Sequence, residues 1–308
     1  MPDVALLPTM DCEPPGPEIT AHARSKSATG PTDYEASESS IRGFVSLCDD
    51  LGLAPTLFVH PQVGEQHRDL FLDLRDSGVC LGLHLHPYKL NPDYRADLGA
   101  YAAETQREIL TEAIDRWEAV FDEHPRYVRP GVFSANDATY QVLDDIGFLG
   151  GSVSTPGRVK PDAAAVWAGA PVDPHRGHAA FRMLPGDLDF VDAPVTVDRS
   201  RPVTGGHLGQ GGYESLYVSD IEAEALDPDA SAYDLAAVTR NTLERIERDS
   251  PSRPALVTNT HNNMAYGDTD HRACENLRTV ARTAREYCRG TPISLEPTTL
   301  DAFVANFG

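Results

Sequence analysis

Two carboxylates and two imidazoles occur in this sequence as pairs, each with one residue between its members. Asp11 and Glu13 flank Cys12, and His84 and His86 flank Leu85. Side chains two positions apart in an extended strand project from the same face, so each pair presents both polar groups together. Two imidazoles and a carboxylate form a common open metal site, at which a bound water reaches a pKa of about 7. The pairs therefore predict metal-dependent hydrolysis with metal-bound water as the nucleophile.

Two further polar residues fall at the ends of predicted strands. Arg129 follows a short apolar strand, and His261 ends a late one. A second carboxylate can take a proton from the water, and a histidine across the pocket can protonate a leaving amine. A lone acid or histidine at a strand end is more often a cap or a hydrogen-bonded structural residue. The paired spacing favours ligation by His84 and leaves His86 open between the two interpretations.

Other side chains are predicted to line the same mouth. His60 and His207 follow or lie near strand ends, while Tyr88 and Trp167 could form a substrate wall. We therefore assign substrate binding to Tyr88, His60 and Trp167. Cys12 is a possible soft ligand, but the strand pleat points it away from its acidic neighbours.

Short apolar runs alternate with amphipathic segments along the chain. Strands are predicted at 4–9, 55–60, 79–86, 127–133, 148–154, 190–197 and 255–260, and helices at 37–51, 66–77, 100–122, 136–146, 232–249 and 270–289. Loops are expected at 14–33 and 201–212. Such alternation implies parallel strands with right-handed crossovers, which place their carboxyl ends at one mouth. The fold class is therefore α/β, most easily a barrel. An open doubly wound sheet usually carries a Gly-rich turn after its first strand, and this sequence has none there.

The chain reads as a single domain over residues 1–308, with a Pro-, Gly- and His-rich insertion at about 155–189. The five cysteines lack the spacing of a zinc ribbon and are expected to be reduced thiols. No signal peptide or membrane-spanning run is evident, which predicts a cytoplasmic protein. The oligomeric state is left open.

The composition is strongly acidic. The net charge is −21, from 47 acidic against 26 basic residues, and only three of the basic residues are lysines. Such an excess favours a halophilic protein with a hydrated, counterion-rich surface, although a merely acidic protein that avoids polyanions is the alternative. Nucleic acid and anionic membranes are excluded as expected partners, and a small molecule or an oligosaccharide remains as the substrate.

These motifs together resemble the polysaccharide deacetylases, the NodB-homology group of carbohydrate esterases. The similarity covers roughly residues 4 to 264, and its motifs occur in the family's order. The matching segments are 9–13 (the acidic motif), 54–59 (the second strand), 82–87 (the histidine motif), 129–131 (the arginine motif), 191–195 (the fourth motif) and His261 (the last motif).

This resemblance implies a distorted (β/α) barrel of about seven parallel strands and a divalent metal, usually Zn²⁺. By the same analogy Asp11 is the general base, Arg129 orients it, and His261 is the general acid. Glu13 and His84 are metal ligands. The expected protein is a hydrolase of carbon–nitrogen bonds other than peptide bonds, which removes acetyl groups from an acetylated (amino) sugar or polysaccharide.

Two departures from the family pattern keep alternatives open. The family's second histidine stands four residues after the first, where this chain has Tyr88, so that either His86 takes over as ligand or the metal is held weakly or not at all. Glu13 replaces the usual aspartate. A hydrolase of a non-sugar or cyclic amide with an altered or absent metal is therefore the second hypothesis, and a non-catalytic carbohydrate-binding barrel is the third.

Overall fold

The computed structural model describes residues 3–15, 30–204, 210–219 and 233–307. The predicted lining residue His207, and most of the predicted loop at 14–33, lie outside these ranges. Within them, no helix combines the length and the apolar character needed to cross a membrane.

The strands alternate with helices as predicted. They are, in chain order, β1 (Asp3–Leu7), β2 (Thr9–Cys12), β3 (Thr56–Val59), β4 (Cys80–Leu85), β5 (Tyr127–Pro130), β6 (Gly150–Gly151), β7 (Val159–Lys160), β8 (Ala165–Val166), β9 (His175–Arg176), β10 (Val191–Asp192), β11 (Val197–Val203), β12 (Gly212–Ser215), β13 (Ala255–Val257), β14 (Thr260–His261) and β15 (Ser294–Pro297). The helices are α1 (Tyr34–Asp50), α2 (Pro61–Gln66), α3 (Arg68–Asp76), α4 (Pro87–Leu90), α5 (Ala103–Phe121), α6 (Thr139–Asp145), α7 (Leu235–Asp249), α8 (Arg272–Gly290) and α9 (Leu300–Ala305).

The main sheet curls into a distorted barrel. Its strand order is β14-β2-β3-β4-β5-β6-β10-β9, and every pair is parallel except β10 with β9. The predicted first strand is split at Pro8, and its first half lies between β13 and β15 in a three-stranded sheet. After β10 the chain continues beside β6, where Ala193 donates to Gly151, and then reaches β13, where Thr196 donates to Val257; the second bond connects the main sheet to the three-stranded sheet. The predicted α/β barrel is therefore confirmed.

The strand pleat separates an interior from a helix-covered exterior. Ala5, Leu7, Phe58 and Val257 belong to one buried cluster, which α9 closes through Leu300 and Phe303. Met10 and Cys12 belong to the other cluster, together with side chains of the surrounding helices. Cys12 thus points away from Asp11 and Glu13, as the pleat predicts.

Helix ends follow local chemistry. The carboxylates of Asp33 and Asp234 accept hydrogen bonds from backbone amides in the first turns of α1 and α7. Gly78 and Gly147, where the sequence predicts helix ends, have φ of +94° and +95°. Glycine adopts this left-handed conformation without steric cost.

The stretch from residue 150 to residue 219 is less regular than predicted. The predicted strand at 148–154 is reduced to the two residues of β6, and that at 190–197 is divided between β10 and the start of β11. The prediction of a loop at 201–212 is wrong at both ends, because residues 201–203 belong to β11 and Gly212 begins β12, and the two strands form an antiparallel hairpin. The segment 155–189 contains a short hairpin of β7 and β8 and the antiparallel edge strand β9.

Candidate metal and catalytic site

Parallel register brings the predicted catalytic residues together at one end of the barrel. His261 of β14 pairs with Asp11 of β2, and His84 of β4 pairs with Arg129 of β5. Each of these residues ends or nearly ends its strand, and all four are buried. The carboxyl ends of the strands therefore form a single polar cluster, as expected for a β/α barrel.

Glu13, His84 and His86 form a group that could hold a metal ion. One ligand atom from each lies within 4.8 Å of the others. Glu13 Oε1 is 3.5 Å from His84 Nε2 and 3.4 Å from His86 Nε2. Two donors that share a tetrahedral ion with bonds of about 2.1 Å stand about 3.4 Å apart. The spacing therefore fits a small ion such as Zn²⁺ with an open coordination position.

Outer contacts orient both imidazoles toward this position. His84 Nδ1–H donates to the carbonyl oxygen of Arg129 at 3.0 Å, so the lone pair of neutral His84 resides on Nε2. His86 Nδ1 is 2.8 Å from the Tyr88 hydroxyl. Both Nε2 atoms are buried without a hydrogen-bond partner. Such second contacts are the usual support of metal-binding histidines, and the two unsatisfied nitrogens are consistent with a metal site.

Gly131 allows His86 to occupy its position. A Cβ atom on Gly131 would lie 2.3 Å from the His86 ring, which is far inside van der Waals contact. The chain then turns through Val132 and Phe133, whose φ angles are +56° and +59°. Left-handed conformations cost energy for such side chains, so the surrounding contacts must hold this turn in place.

Asp11 is fixed by a buried arginine. Arg129 Nη1 donates to Asp11 Oδ1 and to Asn259 Oδ1, each at 2.7 Å, and the guanidinium lies 4.3 Å above the Phe58 ring. Burial alone would raise the pKa of Asp11, but the charges of Arg129, His84 and His261 outweigh it and lower the pKa. Asp11 is therefore an oriented, ionised carboxylate at neutral pH.

His261 faces both carboxylates. Its Nε2 lies 3.7 Å from Asp11 Oδ2 and 3.5 Å from Glu13 Oε1, and its Nδ1 lies 3.0 Å from the Tyr217 hydroxyl. Burial lowers the pKa of His261 more than the two carboxylates raise it. The imidazole is thus held with one nitrogen in the cluster and the other on a phenol.

Lys89 brings a positive charge to Glu13. Its ammonium contacts Glu13 Oε2, and the backbone of Glu13 is held from the other side by the amide of Asn262. Burial would raise the pKa of Glu13, but Lys89 and His86 lower it well below its usual range. Glu13 is therefore an anion at neutral pH.

The predicted substrate-binding residues lie in different surroundings. Tyr88 contacts the candidate ligand His86. His60 is fully buried, accepts a hydrogen bond from the backbone of Gln62, and has its pKa lowered well below the usual range by burial. Trp167 is fully buried, and its indole N–H donates to the carbonyl of Phe133 at 2.7 Å. Binding of substrate by these residues stays a prediction.

Several members of the cluster were not predicted from the sequence. Asn259 and Asn262 flank His261, and the alternation of the strand could have indicated Asn259. Lys89 lies one helical turn after His86, a spacing that indicates proximity only once α4 is known to begin at Pro87. Tyr217 and Arg158 lie in irregular segments, and the sequence gives no signal for their positions.

Comparison with known proteins defines the class of fold. No family model and no curated protein matches the chain. Solved structures do match the chain. A structure from Mycobacterium smegmatis that is assigned as a polysaccharide deacetylase superposes with a TM-score of 0.59 at 15% identity. The match covers 99% of this chain and 90% of that one. The resemblance to the polysaccharide deacetylases is therefore confirmed at the level of the fold.

Two further structures share the fold over nearly the whole chain. Puue allantoinase superposes with a TM-score of 0.60 at 14% identity, covering 98% of this chain and 89% of that one. A structure from Pseudomonas aeruginosa PAO1 that is assigned as a polysaccharide deacetylase gives 0.58 at 12% identity, with coverage of 98% and 90%. Hydrolases of carbon–nitrogen bonds therefore occur among the proteins with this fold.

Proposed function

We propose that this protein is a metal-dependent hydrolase that removes acetyl groups from an acetylated amino sugar or polysaccharide. The observation that carries the proposal is the convergence of Glu13, His84 and His86 with Asp11 and His261 at one end of the barrel. One set provides ligand atoms at metal spacing, and the other provides a base and an acid across from it.

The donor set of one carboxylate and two neutral imidazoles favours Zn²⁺. When bound, such an ion polarises the acyl carbonyl and makes a coordinated water more acidic. Glu13 and His84 would bind it, and His86 would take the place that the family gives to the residue at position 88.

Asp11 accepts the proton of the attacking water. The hydrogen bond from Arg129 leaves Asp11 Oδ2 facing the cluster and keeps the carboxylate from rotating away. Its lowered pKa ensures that the base is ionised at neutral pH.

His261 delivers a proton to the leaving nitrogen as the acyl carbon–nitrogen bond breaks. The hydroxyl oxygen of Tyr217 accepts a hydrogen bond from Nδ1–H of the protonated ring, so that the Nε2–H proton is the one given up and the ring returns to its neutral form. That nitrogen faces Asp11 and Glu13, so an acyl group held between Asp11 and His261 would present its leaving nitrogen to it.

The test is the Asp11→Asn variant, measured by acetate release from N-acetylglucosamine oligomers together with metal analysis. We expect the rate to fall by at least a hundredfold, the usual contribution of general base catalysis, with the fold intact by circular dichroism. Asp69→Asn, a change at a carboxylate that is 95% exposed, serves as the control. Full activity of Asp11→Asn, or a purified protein without metal that still releases acetate, contradicts the proposal.

A second candidate is the hydrolysis of a non-sugar or cyclic amide. The ammonium of Lys89 on Glu13 supports it, because a fixed positive charge can neutralise this carboxylate without a metal. The shared fold with an allantoinase makes ureides the first compounds to screen. Ring opening of a ureide by metal-free protein, with no acetate from acetylated sugars, would favour this candidate over the first.

In either case the substrate is a small molecule or a saccharide. Salt adaptation and a cytoplasmic location remain predictions from composition.

A further inference from the structure

Arg158 is a buried arginine of the segment 155–189 that lies close to the catalytic cluster. Its guanidinium carbon is 4.8 Å from the centre of the Phe133 ring, and the guanidinium carbon of Arg129 is 5.4 Å from the same ring. The Phe133 ring thus contacts both Arg158 and Arg129, and Arg129 is the residue that donates to Asp11. Burial lowers the pKa of Arg158 more than electrostatic interactions with Tyr217, Tyr233 and Asp11 raise it.

Within the part of the chain that the structure describes, no carboxylate pairs with the charge of Arg158. Only 3% of the residue is exposed, and its one side-chain hydrogen bond runs from Nη1 to the carbonyl of Val132 at 3.0 Å. Its Nε atom is buried without any partner. Burial lowers the pKa of Arg158 to about 10, which still leaves the group protonated at neutral pH.

Other buried or partly buried arginines of the described chain have the carboxylate partner that Arg158 lacks. Arg129 pairs with Asp11, Arg245 with Asp173 and Arg182 with Asp137, at distances from 2.7 to 2.8 Å. Arg182 offers the closest match to Arg158, because it also donates to a backbone carbonyl and lies 5.5 Å from an aromatic ring. An unpaired buried charge is costly, and an incoming anion would remove that cost.

The surroundings hold Arg158 in place. Its amide donates to the carbonyl of Thr155, and its own carbonyl accepts from the amide of Trp167 at 2.7 Å. The indole of Trp167 in turn fixes the carbonyl of Phe133. A guanidinium held in advance of binding loses little freedom when an anion arrives, which favours recognition.

We propose that Arg158 binds a carboxylate of the substrate, so that the preferred substrate carries a negative charge beside its acyl group. This inference rests on the proposed function, since the acyl group must lie between Asp11 and His261 for a carboxylate to reach Arg158. The guanidinium offers Nε and the second Nη in a planar fork that matches carboxylate geometry. In this proposal Arg158, in the irregular segment, selects the class of substrate, while Asp11 and His261, on barrel strands, carry out the hydrolysis.

The test compares two compounds that differ by a carboxylate-bearing ether. N-acetylmuramic acid and N-acetylglucosamine are offered to the wild type and to Arg158→Gln, and acetate release is measured. We expect the wild type to show a kcat/KM at least tenfold higher for the acid, and Arg158→Gln to bring the ratio close to one. Arg182→Gln is the matched control and should keep the wild-type ratio. A wild-type ratio near one, or a ratio that survives in Arg158→Gln, overturns the proposal.

A binding measurement separates this inference from the proposed function. Calorimetric titration with the same two compounds should show the acid binding at least tenfold more tightly to the wild type, and about equally with the neutral sugar to Arg158→Gln. Tight binding of the acid without acetate release contradicts the proposed deacetylation and supports the role of Arg158. Failure of the acid to bind the wild type overturns that role. If Arg158→Gln does not fold, Arg158→Lys, which keeps the charge but loses the fork, should still lower the preference severalfold, and an unchanged preference overturns the proposal.

Discussion

The two halves of the barrel differ in regularity and in what they contribute. Strands β2 to β5 are four to six residues long and pair in continuous parallel register, and they carry Asp11, His84 and Arg129 at or near their ends. Between residues 150 and 192 each strand is only two residues long, and this half contributes Arg158 and Trp167. If the proposed roles hold, the regular strands would fix the groups that must be placed precisely, and the irregular segments would provide contacts that can vary with the substrate.

The largest effect that would test this division is the loss of a ligand from the regular half. His86→Gln should weaken Zn²⁺ binding by at least a hundredfold, whereas Tyr88→Phe, which removes only the hydroxyl on His86, should weaken it by about tenfold. Competition with a chromogenic chelator measures both affinities. An equal loss of Zn²⁺ affinity in the two variants would contradict the proposal that His86 binds the metal and Tyr88 only supports His86.

A smaller loss of activity is expected when the hydroxyl of Tyr217 is removed. This residue contacts His261 from an irregular segment that follows β12. Tyr217→Phe should slow hydrolysis of an acetanilide by about tenfold, because the poor leaving group needs the proton from His261. Cleavage of p-nitrophenyl acetate, whose leaving group departs without a proton, should change little. Tyr213→Phe, in the hairpin that precedes Tyr217, is the control. A loss of the same size for both compounds would indicate general distortion of the site.

A third effect concerns the stability of the fold in acid. Burial lowers the pKa of His60, His86 and His261 in the folded protein, that of His86 to about 4. The unfolded chain, with histidine pKa values of about 6.5, binds protons first as the pH falls, so stability is complete above pH 6.5 and is lost toward pH 4. The lowered pKa values of Asp11 and Glu13 act in the same direction at lower pH.

For His86 alone the expected loss at pH 5 is about 2 kcal/mol. Urea unfolding of chelator-treated protein at pH 7 and pH 5 measures it, and His86→Gln should show a correspondingly smaller loss. His124→Gln, at a side chain that is 37% exposed, is the control. A free energy of unfolding that does not fall between pH 7 and pH 5 contradicts the buried neutral state of these rings.

The alternation of the strands made the convergence of the acidic and histidine residues predictable. Asp11 and Glu13 share a face with Ala5 and Leu7, and the parallel register aligns Asp11 with His261. Because strand period and barrel geometry are both regular, residue type and spacing sufficed to bring these groups together. The barrel class followed from the same alternation.

The remaining contacts depend on geometry that local sequence does not encode. Tyr217 reaches His261 because its segment pairs beside Asn259 through a single bridge, after a chain excursion with weak periodicity. Arg158 is positioned by a left-handed turn at Val132 and Phe133, residues whose types give no warning of such backbone angles. Trp167 was expected at a substrate wall, but its type equally suits the core cluster in which it lies.

The close approach of Gly131 to His86 couples two positions that lie 45 residues apart in the sequence. A lineage that moved its histidine from position 86 to position 88 would no longer need an empty space at 131, whereas one that acquired His86 had first to keep or gain a glycine there. The order in which such substitutions can accumulate is therefore restricted, and the same restriction applies to anyone who tries to convert one ligand arrangement into the other by design.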